Sequence, residues 1–175
     1  MKRNKNKGIL FWITGLSGSG KTQIAKKIHL TISKKYGPTI CFSGDEIRKI
    51  FNLKGYNKRD RQVIGIKYIN LAKLITDQKI NVIFAVAGLL HKSHSINRAT
   101  FKNYLEIFVK SEIKRLKKRK SKYFYRKKVK NVWGLDIKPE FPKKPHIIII
   151  NDFKKNINDL SKELFTKIKK KLNEY

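Results

Sequence analysis

The stretch Gly15-Leu16-Ser17-Gly18-Ser19-Gly20-Lys21-Thr22 constrains this chain more than any other part of it. It fits G-x-x-x-x-G-K-[ST], the P-loop pattern, in which a glycine-rich turn wraps the phosphates of a nucleotide. Its glycines open backbone conformations closed to residues with a Cβ, so successive N–H groups can turn inward on one anion. Lys21 then reaches the β- and γ-phosphates, and the Thr22 hydroxyl ligates Mg²⁺. The flanks agree. Ile9-Leu10-Phe11-Trp12-Ile13 is a short apolar run of the kind that forms a buried parallel strand. Gln23–Ile28 carries apolar residues at helical spacing, so the loop joins strand to helix and gains the helix's partial positive charge. A merely flexible Gly/Ser turn explains neither Lys21-Thr22 nor these flanks.

With 175 residues, 40% of them hydrophobic, the chain is long enough for one domain with a substantial core and too apolar for disorder. Its net charge of +31 comes from 43 Lys+Arg against 12 Asp+Glu. One reading is a polyanion partner, since each neutralised phosphate releases counterions. The other is compositional, because Lys greatly outnumbers Arg, and the lysines are spread over every segment instead of forming a stripe. That spread, and the lack of a nucleic-acid-binding motif, weigh against nucleic acid as a partner. The single cysteine, Cys41, lies in an apolar run and reads as a buried thiol. Met1–Lys7 before Ile9–Ile13 imitates a signal peptide, but the apolar run passes straight into the P-loop without a cleavage site. Ile147–Ile150 is far too short to cross a bilayer. The expectation is a cytoplasmic protein with no membrane partner.

Apolar runs at Thr39–Phe42, Asn81–Ala87, Leu105–Val109 and His146–Ile150 read as further strands, the uncharged third being the most interior. Helical periods fall at Ile47–Phe51, Lys58–Asp77, Ser93–Asn103, Glu112–Arg119 and Asn156–Leu172, with Ser111 as a cap for the fourth. Lys120–Trp133 is basic and aromatic without a clean period, and Pro139, Pro142 and Pro145 exclude regular helix from the segment after it. Alternating strands and helices predict an α/β, three-layer fold over residues 1–175: a parallel sheet of about five strands with helices on both faces. Ligands bind beyond the C-terminal strand ends of such sheets, which puts Gly15–Thr22, Ser43–Arg48 and Gly88–His91 on one rim.

Phosphoryl transfer needs the phosphates held, their charge neutralised, and an acceptor oxygen aligned and partly deprotonated. Asp45 is a candidate base, on the expectation that its strand neighbours the P-loop strand. Helix capping is the competing role, since Asp45 is a good N-cap and Ser43 with Glu46 fits a capping box. Arg48, one turn on, and Arg61 suit an anionic acceptor. Tyr56 beside Gly55 offers a stacking surface. His91 and His94 resemble a metal pair only superficially, because no Cys or further His accompanies them at ligand spacing.

Taken together, Gly15–Thr22, Gly44-Asp45-x-x-Arg48, Gly55-Tyr56-x-x-x-Asp60-Arg61, Lys130-Asn131-x-x-Gly134-Leu135-Asp136 and Glu140-x-Pro142-x-x-Pro145 resemble adenylyl-sulfate kinases in order and spacing. The resemblance runs from about Ile9 to Asp152, and the blocks after the P-loop make it specific. In that family ATP phosphorylates the ribose 3′-hydroxyl of adenosine 5′-phosphosulfate. The resemblance implies a P-loop NTPase fold, Asp45 and Lys21 as catalytic residues, and Gly15–Thr22 as the ATP site with Mg²⁺ on Thr22. It also implies Arg48 and Arg61 as clamps on the acceptor, Tyr56 as its stacking platform, and Lys130 and Asn131 as further acceptor contacts. A lid over about 120–133 and a homodimer follow from it too, the lid excluding water from both nucleotides.

The chain departs from that family at several positions. Ser43 stands where the family has an Asp beside the Mg²⁺ shell, and Ile64 where an Asn helps hold the phosphosulfate. Tyr56 and Val132 stand where two phenylalanines sandwich the acceptor adenine; stacking is worth roughly 1–3 kcal/mol per base, so losing one ring can change the preferred base. The lid is shorter by about one helical turn. With Asn97-Arg98 and Asn131-Val132, these features are similar to shorter relatives, some tied to surface-polysaccharide genes, of which one type phosphorylates cytidine diphosphoramidate. Adenosine 5′-phosphosulfate is the leading acceptor at this stage, with cytidine diphosphoramidate as the alternative and a basic nucleic-acid-binding protein as a remote one.

Overall fold

The apolar runs become strands and the amphipathic ones helices, in strict alternation. The computed structural model describes residues 4, 6–119, 123–125, 127 and 129–173. In chain order these form β1 (Leu10–Thr14), α1 (Lys21–Tyr36), β2 (Thr39–Ser43), α2 (Gly44–Ile50), α3 (Lys58–Asp77) and β3 (Asn81–Val86). Then come α4 (His91–Thr100), β4 (Tyr104–Lys110), α5 (Ile113–Arg119), a 3₁₀ turn at Tyr123–Tyr125, β5 (Ile147–Ile150) and α6 (Ile157–Asn173). The signal-like residues Met1–Arg3 and Lys5, and parts of the expected lid (residues 120–122, 126 and 128), lie outside the described residues.

The five strands pair in parallel in the order β2-β3-β1-β4-β5. Side chains alternate across a strand, so β1 serves two cores at once. Phe11 and Ile13 face α1 and α6, meeting Ile24, Ile28, Leu160 and Leu164. Leu10 and Trp12 face the other way, against Ile64, Tyr68 and Ala72 of α3 and Phe84 of β3. Helices thus cover both faces of the sheet, as the alternation requires.

Several expectations shift. β2 is an edge strand and does not neighbour β1: β3 lies between them. The burial pattern explains the order, because every β3 residue is buried whereas Thr39–Phe42 are only half so. For the same reason Cys41 is half-buried, and burial pushes its thiol up to about 11. Helix α4 begins at His91 and ends at Thr100 instead of running to Asn103. The Asn103 amide instead donates to the carbonyls of Asn4 and Lys7, tying the N-terminal segment down. Ser111 donates its hydroxyl to the Asn151 carbonyl, 2.9 Å away, and so links the chain after β4 to the chain after β5.

Candidate active site

Gly15, Gly18 and Gly20 all have positive φ, and α1 starts at Lys21. A Cβ on Gly15 would collide with the Val109 carbonyl, and Gly20, at φ 92°, turns the chain into the helix as its N-cap. No side chain caps α1 and no acidic residue occupies its first turn. The helix's positive end is turned toward the loop, where it favours an anion. Lys21, only 8% exposed, folds back to donate to the Leu16 carbonyl at 2.6 Å.

A cleft over this loop is lined by Ser17, Gly18, Gly20, Lys21 and Thr22 on one side and by Arg119, Asn151, Phe153 and Lys155 on the other. The latter residues carry no motif. They assemble through tertiary contacts: the Asn151 amide donates to the Ser19 carbonyl at 3.0 Å, and the Arg119 guanidinium sits 4.5 Å from the Phe153 ring centroid. That pairing gives a flat cationic and aromatic surface beside the loop, of the kind that stacks on a base.

A second cavity, of about 290 Å³, adjoins this cleft. It brings Arg48, Tyr56, Arg61, Lys130 and Asn131 together, the residues expected to contact an acceptor. Tyr56, 53% exposed, lies between two cations, with Arg48 at 4.4 Å and Arg61 at 5.4 Å from its ring centroid. Arg48 donates to the carbonyls of Leu53 (3.0 Å) and Gly55 (2.9 Å), which fixes the loop carrying Tyr56. Arg61 donates to the Tyr56 carbonyl at 2.6 Å and to the Asn131 carbonyl at 2.8 Å, so one side chain ties α3 to the far wall. Burial and the neighbouring Arg48 charge push Arg61 down to about 10, which leaves it cationic at neutral pH. Asp136 shapes that far wall: its carboxylate accepts the N–H groups of Asn131 and Val132.

Aromatic residues outside every motif complete the cavity. Trp12, Tyr68, Tyr123, Phe124 and Trp133 line it with Tyr56 and Val132. Tyr123 and Phe124 thus add rings to the cavity that holds Val132. A run of aromatics in a basic segment was the one available signal for this. The Tyr125 hydroxyl donates to the Ser17 carbonyl at 2.8 Å, fastening this segment to the P-loop.

Asp45 lies on the boundary. With Ser17, Gly44, Val86 and Ala87, it lines both the P-loop cleft and the second cavity. The capping role that competed for it belongs to its neighbours: the Ser43 hydroxyl accepts the Glu46 N–H at 3.2 Å, and the Glu46 carboxylate accepts the Ser43 N–H at 2.9 Å. Asp45 therefore occupies the first turn of α2 without capping it. His91 and His94 diverge, the first reaching the Phe141 carbonyl at 3.0 Å and the second Glu106 at 2.6 Å. Among the described residues no cluster of three His, Cys, Asp or Glu could hold a metal. A Mg²⁺ bound largely through phosphates and water needs less from the protein, and the Thr22 hydroxyl that lines the cleft is a hard oxygen of the kind it would take. Among the described residues no helix is long and apolar enough to cross a membrane.

The family model described as "Adenylylsulphate kinase" matches residues 7–150. A cytidine diphosphoramidate kinase of Campylobacter jejuni is 33% identical over 167 residues, covering 93% of this chain and 97% of that protein. An adenylyl-sulfate kinase of Geotalea daltonii is 30% identical over 156 residues, covering 85% of this chain and 77% of its own. The fold is similar to that of a Mycobacterium tuberculosis APS kinase solved with AMPPNP and APS, at a TM-score of 0.84 and 23% identity, over 93% of this chain and 98% of that one. Motifs, fold and comparisons agree: this chain is a kinase-type phosphotransferase and belongs to the adenylylsulphate kinase family.

Proposed function

We propose that this kinase transfers the γ-phosphoryl group of Mg²⁺-ATP to the ribose 3′-hydroxyl of a small anionic nucleotide. The observation that carries the reading is the placement of Asp45 on the wall shared by two cavities. One has the P-loop for a triphosphate; the other has Arg48, Arg61 and Tyr56 for a second nucleotide. Gly15–Thr22 holds the donor phosphates through backbone N–H groups and Lys21, and Thr22 would hold the Mg²⁺, which neutralises charge as the phosphoryl group moves. Asp45 accepts the hydroxyl proton, Arg48 and Arg61 orient the acceptor's acidic group, and Tyr56 stacks on the acceptor. Tyr123, Phe124 and residues 129–133 cover the site and keep water from the γ-phosphate. Residues 1–175 act as one kinase domain.

For the acceptor's identity, support divides. The motifs and the family match favour adenosine 5′-phosphosulfate. A cytidine diphosphate derivative is favoured by the 33% relative that matches nearly end to end. It is favoured also by Val132, which lines the cavity with Tyr56 where the family has a second ring and so leaves less aromatic surface for a purine, and by buried Ile64 where the family has an amide. We take the cytidine diphosphate derivative as the leading acceptor and adenosine 5′-phosphosulfate as the second. ADP release measured with each, and with no acceptor, decides by kcat/KM. Turnover on a 3′-hydroxyl with either supports the reaction type. ADP release that ignores every nucleotide acceptor overturns it.

A further inference from the structure

Tyr68 belongs to no motif, yet it lies in the wall of the second cavity with only 4% of its surface exposed. Its ring packs on Phe84 of β3, centroids 5.0 Å apart, in the cluster that also takes Ile47 of α2 and Ile64 of α3. Its hydroxyl donates to the Gly44 carbonyl at 2.9 Å. Gly44 opens α2, and Asp45 follows it directly. Gly44 is buried and has no side chain with which to anchor this turn. Its backbone rests instead on the tyrosine: a Cβ there would lie 3.5 Å from Tyr68 Cε2 and 3.7 Å from the hydroxyl oxygen.

The capping box between Ser43 and Glu46 closes the first turn of α2 on itself but does not fix where that turn sits in the molecule. The strand that leads into it, β2, is a half-buried edge strand, and α2 has only seven residues. So short a helix takes its place from tertiary contacts. Ile47 supplies one in the core, and the Tyr68 hydroxyl holds the first turn to α3. Burial pushes that hydroxyl up to about 12, with the Arg48 charge opposing the shift and the Asp45 charge adding to it. Tyr68 therefore stays a donor at neutral pH, within electrostatic reach of both site residues. Resting on the reading of Asp45 as the proton acceptor, we propose that Tyr68 is its positioning residue. The bond to Gly44 holds the first turn of α2 so that the Asp45 carboxylate meets the acceptor's 3′-hydroxyl. A general base works only within roughly 2.6–3.2 Å of the group it deprotonates, and a misplacement of about 1 Å can cost about 10²-fold in rate.

Tyr68→Phe keeps the ring and its packing and removes only the hydroxyl. It should lower kcat about fivefold, the loss expected for one hydrogen bond, and leave the KM for ATP and for the acceptor within about twofold. The decisive measurement is a double-mutant cycle with Asp45→Asn, followed as single-turnover phosphoryl transfer with enzyme in excess so that slow variants remain measurable. With no carboxylate left to position, Tyr68→Phe should change the Asp45→Asn rate little. Tyr104→Phe is the control, since it removes another buried hydroxyl bond, to Glu106 at 3.0 Å, away from both cavities. It should lower the melting temperature and leave kcat unchanged. Parental kcat in Tyr68→Phe, the same factor lost in both Asp45 backgrounds, or an equal loss of kcat in Tyr104→Phe each overturns the proposal and leaves the kinase reading intact. Near-normal turnover in Asp45→Asn alone removes the base assignment, and this inference falls with it.

Discussion

At Asp45 two roles competed, and local sequence alone could not separate them. The geometry assigns the cap to Ser43, whose hydroxyl accepts the Glu46 N–H, and leaves Asp45 facing both cavities. Asp45→Asn should therefore leave thermal stability within about 0.5 kcal/mol, as for a substitution away from caps and core. It should cut kcat by about 10²–10⁴-fold, the usual worth of a positioned general base. Ser43→Ala should do the reverse, costing about 1 kcal/mol of stability through the lost cap. Paired melting curves and ADP-release assays on the two variants test the division of labour. Turnover near normal in Asp45→Asn would return that residue to a structural role.

Among the elements, the segment between α5 and β5 was the least legible. It has no period because it has almost no regular structure, only the 3₁₀ turn at Tyr123–Tyr125 among its described residues. Its order comes instead from single contacts with distant elements. Tyr125 reaches Ser17, Asn131 meets Arg61, and Glu140 accepts the His91 N–H at 2.8 Å while pairing with Lys58 at 2.5 Å. Sequence could mark the segment as basic and aromatic but not say which wall it covers. Tyr125→Phe removes one tether of this cover without changing its shape. A hydrogen bond is worth about 1 kcal/mol, so the open form should gain about fivefold in population. Acceptor-independent ATP hydrolysis should rise by a similar factor, read as ADP released without acceptor. Unchanged background hydrolysis would mean that this tether does not control water entry.

Over the whole molecule, positive charge is nearly everywhere, and the few carboxylates hold specific places. Glu106, in mid-β4 beside Trp12 of β1, is buried. It accepts hydrogen bonds from Arg98 and, at 3.0 Å, from the Tyr104 hydroxyl, and lies 2.6 Å from His94 Nδ1. Burial pushes its carboxyl up, but the His94 contact and the Arg98 charge outweigh burial and hold it below its ordinary 4.5. A folded-state value below the unfolded one stabilises the fold above about pH 4.5, and that stabilisation is lost as pH falls through the lower value. Glu106→Ala, which leaves the buried Tyr104 hydroxyl and His94 ring without their carboxylate partner, should cost about 1–3 kcal/mol at neutral pH. Urea midpoints followed downward from neutral pH should fall more steeply in the parent than in the variant below that point. Self-repulsion at +31 should also make the midpoint rise with NaCl between about 0.05 M and 0.5 M. A salt-independent midpoint would mean that the lysines are spaced widely enough not to feel one another.

The P-loop and its flanks were readable because their physics is local: glycines permit the turn, and the apolar periods dictate strand and helix. That was enough to place the loop between β1 and α1 and to set the alternation that builds the sheet. The order of the strands was not, because β2 and β3 differ locally by little more than a few buried positions. The acceptor half depends on residues far apart in the chain, Trp12, Arg61, Phe124 and Trp133, whose meeting is a property of the packed sheet and of the cover folded across it. Contacts of that range leave no spacing in a sequence, so only the tertiary structure decided what lines the second cavity.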